Sequence, residues 1–393
     1  MKVAGIVCEY NPFHNGHKYQ IEKTRENGAT HIVCAMSGNF VQRGDCSIAD
    51  KQSRAKAAVS CGADLVIEIP TPWACSSAEN FARGAVSLLS SIPIDFLSFG
   101  CETADKILLE EAAKAVDSPK IGEKVRSLIA QGNTYPTALQ KAIGEAFGKE
   151  VSSVLERPNN TLAVEYIRQK EKLAASFDFL PIERHKADHE ERKLKNNLFA
   201  SAGALRNVES IEEIKNYIPL EMYDELILKE SKKLYPCKIE NADRVVIAAL
   251  RNMTLDEMKL YIPNENGLAE RVFSKSRNSS TTEELINAVK VKSITQAAVR
   301  RAVMLCFLCV PNNLAKGNPP YLKILAANKK GFEILKEREP RLPVVTKKSE
   351  ADRLSEKGKM IYELECRCTD KFSLFSKKIP GCSREQTSPI IIL

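Results

Sequence analysis

The 393-residue sequence lacks several features that would settle its class at once. It has no run of about 18 apolar residues, which excludes a transmembrane helix. One lysine, then Val3–Cys8, then Glu9 is too short and too soon charged for a signal peptide, so the expected location is the cytoplasm, with no membrane contact. No G-x-x-x-x-G-K-S/T occurs, and no G-x-G-x-x-G follows a strand pattern, which removes the two common glycine-rich phosphate loops. There is a single tryptophan, and Trp73 with the ten tyrosines makes no RNA-stacking signature. No Ser/His/Asp or Cys/His constellation for nucleophilic catalysis stands out. Repeats and low-complexity tracts are absent.

Cysteine is plentiful, at twelve residues, but scattered. Cys8 and Cys34 fall in strand-like runs, and Cys306 and Cys309 in the apolar stripe Val303–Val310. Cys366, Cys368 and Cys382 are a weak metal candidate, without the paired spacing or histidine partner that zinc takes. The expectation is buried, reduced thiols and no metal site built from protein ligands.

What is present is an ordinary globular composition, 44% hydrophobic and 27% charged, long enough for two or three domains. Charge is unevenly placed. Residues 1–200 hold 25 basic and 25 acidic side chains, and residues 201–393 hold 33 and 25, so the second part carries the whole +8. Either an anionic partner such as nucleic acid binds there, or the face is merely solvated.

The first part alternates two periodicities. Val3–Cys8, His31–Met36, Asp64–Ile69, Asp95–Phe99 and Phe177–Ile182 read as strands. Lys18–Asn27, Asp50–Cys61, Ala78–Ser90, 104–131, 136–148 and Thr161–Ala175 read as helices. This βαβ order predicts a parallel α/β sheet of Rossmann-like type. Glu183–Asn197 is dense in charge and predicts a surface segment. After about residue 208 helical patterns dominate, with few strand-like runs before Leu342–Thr346. The expected division is 1–205, an α/β nucleotide-type domain, and 206–393, a mainly helical basic domain.

The most informative stretch is Glu9-Tyr10-Asn11-Pro12-Phe13-His14-Asn15-Gly16-His17, directly after the first strand. A helix opening there presents unpaired N–H groups and a positive dipole end, where parallel sheets bind ligands. His14 and His17, three apart, can face one point and donate hydrogen bonds to phosphoryl oxygens that gain charge in a transition state. The H-x-G-H pattern resembles the signature of the nucleotidyltransferase superfamily, whose shared chemistry is attack on the α-phosphate of a nucleoside triphosphate. A second signature of that superfamily resembles Ala200-Ser201-Ala202-Gly203-Ala204-Leu205-Arg206. It implies phosphate contacts from Ser201 and Arg206, although Gly203 stands where a threonine is expected. A plainer reading is that Ser201 is the N-cap of a helix with an exposed arginine.

The H-x-G-H stretch, together with Met36–Gly44, Gly62–Pro70, Ser98–Glu102 and Pro158–Tyr166, resembles the bacterial tRNA(Met) cytidine acetate ligase family. Gly267-Leu268, Glu270-Arg271, Lys290-Val291-Lys292, Arg300-Arg301, Leu322–Leu325 and Lys330-Gly331 extend the likeness more loosely through the second part. The resemblance implies an ATP-dependent, adenylate-forming ligase whose partners are acetate and elongator tRNA(Met), with no stable protein partner. Acetyl-adenylate would form first, and the acetyl group would pass to N4 of the wobble cytidine. His14 and His17 would be catalytic. ATP would lie on Val7, Cys8, Glu9, Tyr10, Asn11, Pro12, Phe13, His14, Asn15, Gly16, His17, Lys18, Tyr19 and Gln20, with Gly100, Asn159 and Arg184 as further contacts. Mg2+ is expected with the ATP, but no carboxylate ligand can be named.

Plainer readings stand beside these. Asn159 could cap a helix starting at Thr161, Arg184 could be solvated, Gly100 could only permit a turn, and Gln42-Arg43-Gly44 could be a structural turn or an active-site lid. In the basic part, Arg271, Lys275, Arg277, Lys290, Lys292, Arg300 and Arg301 cluster in sequence and are the expected phosphate contacts for tRNA. Two other functions remain open. One is a small-molecule adenylyltransferase, which would not need the basic helical part. The other is a non-catalytic nucleotide- or RNA-binding protein.

Overall fold

The computed structural model describes residues 1–184, 199–263 and 267–393, so most of the charged segment Glu183–Asn197 lies outside the described residues. The first-part strands form where the apolar runs place them: β1 Val3–Cys8, β2 His31–Ser37, β5 Leu65–Ile69, β6 Phe96–Cys101 and β7 Asp178–Glu183. Between β2 and β5, β3 (Phe40–Val41) and β4 (Asp45–Cys46) make a small antiparallel hairpin. β1 pairs in parallel with β2 on one side and β6 on the other, and β5 and β7 extend the sheet outwards. Every residue of β1, β2 and β5 is buried, as expected for a parallel sheet covered on both faces. The connection reverses direction at β1, so the crevice beyond the carboxyl ends of β1 and β6 is where such a sheet binds ligands.

The second part holds the expected helices, among them Leu220–Ser231, Asp243–Asn252, Thr282–Val289 and Gln296–Leu308. It also returns to the sheet. β8 (Leu322–Ala327) pairs antiparallel with β5, β9 (Val344–Val345) pairs with β8, and β10 (Ile391–Ile392) takes the edge. The expected paucity of strands after residue 208 is corrected here: β8 is wholly buried, yet Leu-Lys-Ile-Leu-Ala-Ala has neither alternation nor β-branched enrichment. The sheet thus draws on both sides of the expected boundary. Among the described residues no helix is long and apolar enough to cross a membrane.

A buried ionic cluster fastens the C-terminal residues to the sheet. The Lys51 ammonium, 1% exposed, lies 2.6 Å from Glu68 Oε1 and 2.6 Å from Glu385 Oε2. Lys323 reaches Glu385 at 3.6 Å, and Glu365, on the helix Glu356–Phe372, accepts from Thr71 N at 2.7 Å and Thr71 Oγ1 at 2.9 Å. Burial, reinforced by the Glu68 charge and opposed by Lys51, pushes the Glu365 carboxyl up to about 8. The folded protein therefore keeps a proton that the unfolded chain releases near the usual carboxylate value of 4.5. Stability from this group is full at low pH and is lost as pH rises towards about 8. Glu365→Gln should flatten the decline in urea-unfolding free energy between pH 5 and pH 8; an unchanged slope would contradict this assignment.

Candidate functional site

The loop after β1 is held from beneath by one side chain. Arg54, in the helix Lys51–Ser60, is fully buried. Its Nε donates to Ala49 O at 3.0 Å, and Nη1 to Glu9 O at 2.6 Å and Ser37 O at 3.1 Å, while Nη2 donates to Gly38 O. The ends of β1 and β2 are thereby tied to the start of the next helix. Tyr10 sits at φ 50°, a conformation costly for a non-glycine residue, with its hydroxyl 3.4 Å from Cys34 Sγ. Asn11 Oδ1 accepts from Ile48 N at 2.8 Å.

His14 is the N-cap of the helix Asn15–Glu26. Its Nδ1 accepts from Gly16 N at 3.1 Å, and His17 Nδ1 accepts from His14 N at 3.2 Å. Each ring is therefore an acceptor at Nδ1, and in the neutral form its proton must sit on Nε2. The rings stack with centroids 3.6 Å apart and 22° between planes, against Tyr10 and Phe13. Gly16 permits this: a Cβ there would lie 2.9 Å from His14 Cε1. Burial, with His14 and Arg184 adding to it, holds His17 well below the usual histidine range. His17 is thus a neutral donor at physiological pH.

His14 and Gly16 line one pocket with Gln20, Gly100, Arg184 and Phe199. Gly100 leaves room for Arg184, whose Cγ would stand 3.3 Å from a Cβ there. Ser201 caps the short helix Ala202–Arg206 through a bond from Ala204 N at 3.1 Å, as the plainer reading expected. Arg206 Nη1 donates to Asn11 O at 2.7 Å, which joins this segment to the H-x-G-H loop. Among the described residues a Cβ at Gly203 would meet only Ser201 Oγ, at 3.8 Å.

The sequence profile of the HIGH Nucleotidyl Transferase family matches residues 1–387. A Thermoanaerobacter sp. (strain X514) protein named tRNA(Met) cytidine acetate ligase is 34% identical over the full length of both chains. The Clostridium perfringens protein of that name is 32% identical, again over both full lengths. The crystal structure of Thermotoga maritima TmcAL without ligand superposes with a TM-score of 0.95 at 27% identity, covering all of both chains. Its form bound with alpha-thio ATP gives 0.92 at the same identity and coverage. The chain belongs to the tRNA(Met) cytidine acetate ligase family.

In this member of the family the expected site residues divide by environment. His14, Gly16, Tyr19, Gln20, Gly100 and Arg184 come together around the pocket. Val7 and Cys8 are buried in β1, so only their main chain can face a ligand. Asn15 Nδ2 donates to Asn216 O at 2.9 Å. Asn159 does not cap a helix from Thr161, because the helix is Pro158–Lys172 with Arg157 as N-cap. Asn159 Nδ2 donates instead to Glu102 Oε1 at 2.6 Å.

The hairpin is braced at both ends. Gln42 N donates to Glu9 Oε1 at 2.8 Å, and Arg301 Nη1 donates to Gln42 O at 3.3 Å. Gly44, at φ +78°, packs so closely on the helix Gln296–Leu308 that a Cβ would lie 2.3 Å from Arg301 N.

The seven expected tRNA contacts divide too. Arg277 stacks on Phe273 and donates to the Phe273 and Met253 carbonyls, at 3.2 and 2.9 Å. Arg300 pairs with Glu283 at 2.5 Å. Arg271, Lys275, Lys290 and Lys292 are exposed. Among the described residues no group of three or more His, Cys, Asp or Glu side chains is placed to hold a metal ion, and no step is assigned to Mg2+.

Sequence reasoning missed Arg54 and Glu102. Arg54 carries no motif signal within an amphipathic helix, while Glu102 lies in the Ser98–Glu102 stretch and could have been singled out.

The tautomers and the depressed His17 basicity are checkable together. In a 15N-edited NMR titration of the ligand-free protein, the His17 ring should stay neutral, Nε2-protonated, down to pH 6. A midpoint near 6.5 would contradict the burial argument.

Proposed function

We propose that this protein activates acetate with ATP and transfers the acetyl group to N4 of the wobble cytidine of elongator tRNA(Met). The observation that carries the first step is the stacked His14–His17 pair at a helix N-terminus, beyond the carboxyl end of β1. Acetate is ionised at neutral pH and needs no base. Its oxygen attacks the α-phosphorus of ATP, the bond from that phosphorus to the bridging oxygen breaks, and pyrophosphate leaves. The barrier is charge and alignment, which Nε2–H donors, helix N–H groups and the guanidinium groups of Arg184 and Arg206 can lower. The weakly nucleophilic cytidine amine then attacks the activated acetyl carbonyl of the mixed anhydride, the bond from that carbon to the phosphate oxygen breaks, AMP leaves and the nitrogen gives up a proton. Positioning the base supplies the rest.

Names of full-length relatives and an ATP analogue bound to a structural neighbour support this reading. We assign activation to the neutral first part and tRNA binding to the basic helical residues after 206, with both working in the cytoplasm. Mg2+ would arrive with ATP.

The test of activation is acetate-dependent exchange of labelled pyrophosphate into ATP, without tRNA. His14→Ala and His17→Ala should each lose about 10²- to 10³-fold in rate, the effect of removing one donor to developing charge. Near-normal exchange in both would refute the assignment.

For tRNA, the exposed lysines are the phosphate contacts we expect. Replacing Lys290 and Lys292 by alanine should reduce the slope of log K against log salt by about 1.5, at roughly 0.7–0.9 per phosphate contact. An unchanged slope would remove them from the interface. Arg277→Ala should instead lower the melting temperature, since its guanidinium is bonded within the protein.

A further inference from the structure

We propose that Thr369 and Glu385, near the end of the chain, are positioning residues for the acetylation: they fix the root of the β3–β4 hairpin, and through it the set of the H-x-G-H loop against the basic helical residues. The role rests on the acetylation reading above.

The hairpin is too small to hold its own place. Its strands, Phe40–Val41 and Asp45–Cys46, are two residues each, and a lone two-stranded ribbon is marginal even when longer. Its orientation must therefore come from what grips it. The tip is gripped by the two parts that the reaction has to keep together. Gln42 N donates to Glu9 Oε1 at 2.8 Å, at the start of the H-x-G-H loop, and Gly44 packs on the main chain of Arg300 and Arg301.

The root is gripped by a closed ring of four buried residues, Asn39, Lys51, Thr369 and Glu385. Asn39 Oδ1 accepts from Lys51 N at 3.0 Å, and Asn39 Nδ2 donates to Thr369 Oγ1 at 3.4 Å. Thr369 Oγ1 donates to Glu385 Oε2 at 2.7 Å, and Lys51 Nζ returns to the same oxygen at 2.6 Å. Asn39 O in turn accepts from Ser47 N at 2.9 Å and Ser47 Oγ at 3.2 Å, which closes the mouth of the hairpin. Beside the ring, Phe40 meets Phe372 and Phe375 edge-on, with centroids 6.0 and 5.9 Å apart.

The two grips differ in kind. Aromatic packing holds the hairpin near the helix Glu356–Phe372 but is non-directional, whereas a closed hydrogen-bond ring has one geometry. Thr369 is its pivot: the hydroxyl gives its proton to Glu385 while a lone pair takes the proton of Asn39, and among the other aliphatic side chains only serine can do both. A buried ionic ring is poor value for stability alone, so on this proposal it is kept for its single geometry.

The experiment compares the full-length wild type with Thr369→Val, Thr369→Ser, Asn39→Ala and the Asn39→Ala/Thr369→Val double variant, each well below its melting temperature. It reads the 15N and 1H shifts of the Gln42 main-chain amide, and kcat and KM for acetyl transfer from ATP and acetate to tRNA(Met). Thr369→Val keeps the shape and loses the hydroxyl. It should move the Gln42 amide and lower kcat about tenfold, the worth of one hydrogen bond, with the KM for ATP within about twofold of wild type. Thr369→Ser should restore both. The double variant should be no slower than Asn39→Ala. A Thr369→Val protein that melts lower but keeps the wild-type Gln42 amide and kcat would make the ring structural only and overturn the proposal. So would Thr369→Ser failing to restore them, or multiplicative losses in the double variant. Failure of the acetylation reading is told apart because it shows in the wild type itself, as no acetyl transfer, and the proposal would fall with it.

Discussion

One buried guanidinium holds the parts of the site in register. Arg54 has no exposed surface, and its donors end on the carbonyls of Glu9, Ser37, Gly38 and Ala49. Burying a cation is costly unless its hydrogen bonds are made, and here they are made to main chain. Burial pulls its pKa down to about 10, which still leaves it charged at neutral pH. The carbonyls it gathers lie at the carboxyl ends of β1 and β2 and in the turn before its own helix. The H-x-G-H loop leaves the sheet at that point. Asn11, held to Ile48 and Arg206, and Tyr10, strained at φ 50°, continue the same scaffold to the histidines.

The consequence is a pair of imidazoles whose tautomers are fixed by main-chain donors. Both Nδ1 atoms are committed as acceptors, so in the neutral rings both protons sit on Nε2. Keeping His17 neutral avoids charge repulsion between stacked rings and still offers a donor to a phosphoryl oxygen. On our proposal, the hairpin carries this arrangement towards the second part. Gln42 touches the H-x-G-H loop through Glu9, and Gln42 and Gly44 touch Arg301 on the helix that ends the basic run. Acetate activation and RNA binding would thus share a rigid boundary.

The parallel sheet was legible because fully buried parallel strands read as apolar runs, and β1, β2, β5 and β6 do. The histidine pair was legible because chemistry at a helix N-terminus needs those residue types at that spacing. β8 was not, because a six-residue apolar run containing lysine matches neither periodicity; Lys323 is tolerated because Glu385, sixty-two positions later, and the ring of Tyr362 come to meet it. Arg54 and the hairpin escaped for a related reason, since their partners are main-chain atoms brought close by the fold. The basic stretch showed its charge in sequence, but not that Arg277, Arg300 and Arg301 spend theirs inside the protein while Lys290 and Lys292 face solvent.

The central claim is that one chain both activates acetate and delivers it to RNA. Incubating the protein with ATP, 13C-acetate and unmodified elongator tRNA(Met), then digesting the tRNA to nucleosides for mass spectrometry, tests it directly. The account predicts 13C-labelled N4-acetylcytidine, one per tRNA, dependent on ATP; pyrophosphate release with no label in any nucleoside would contradict it.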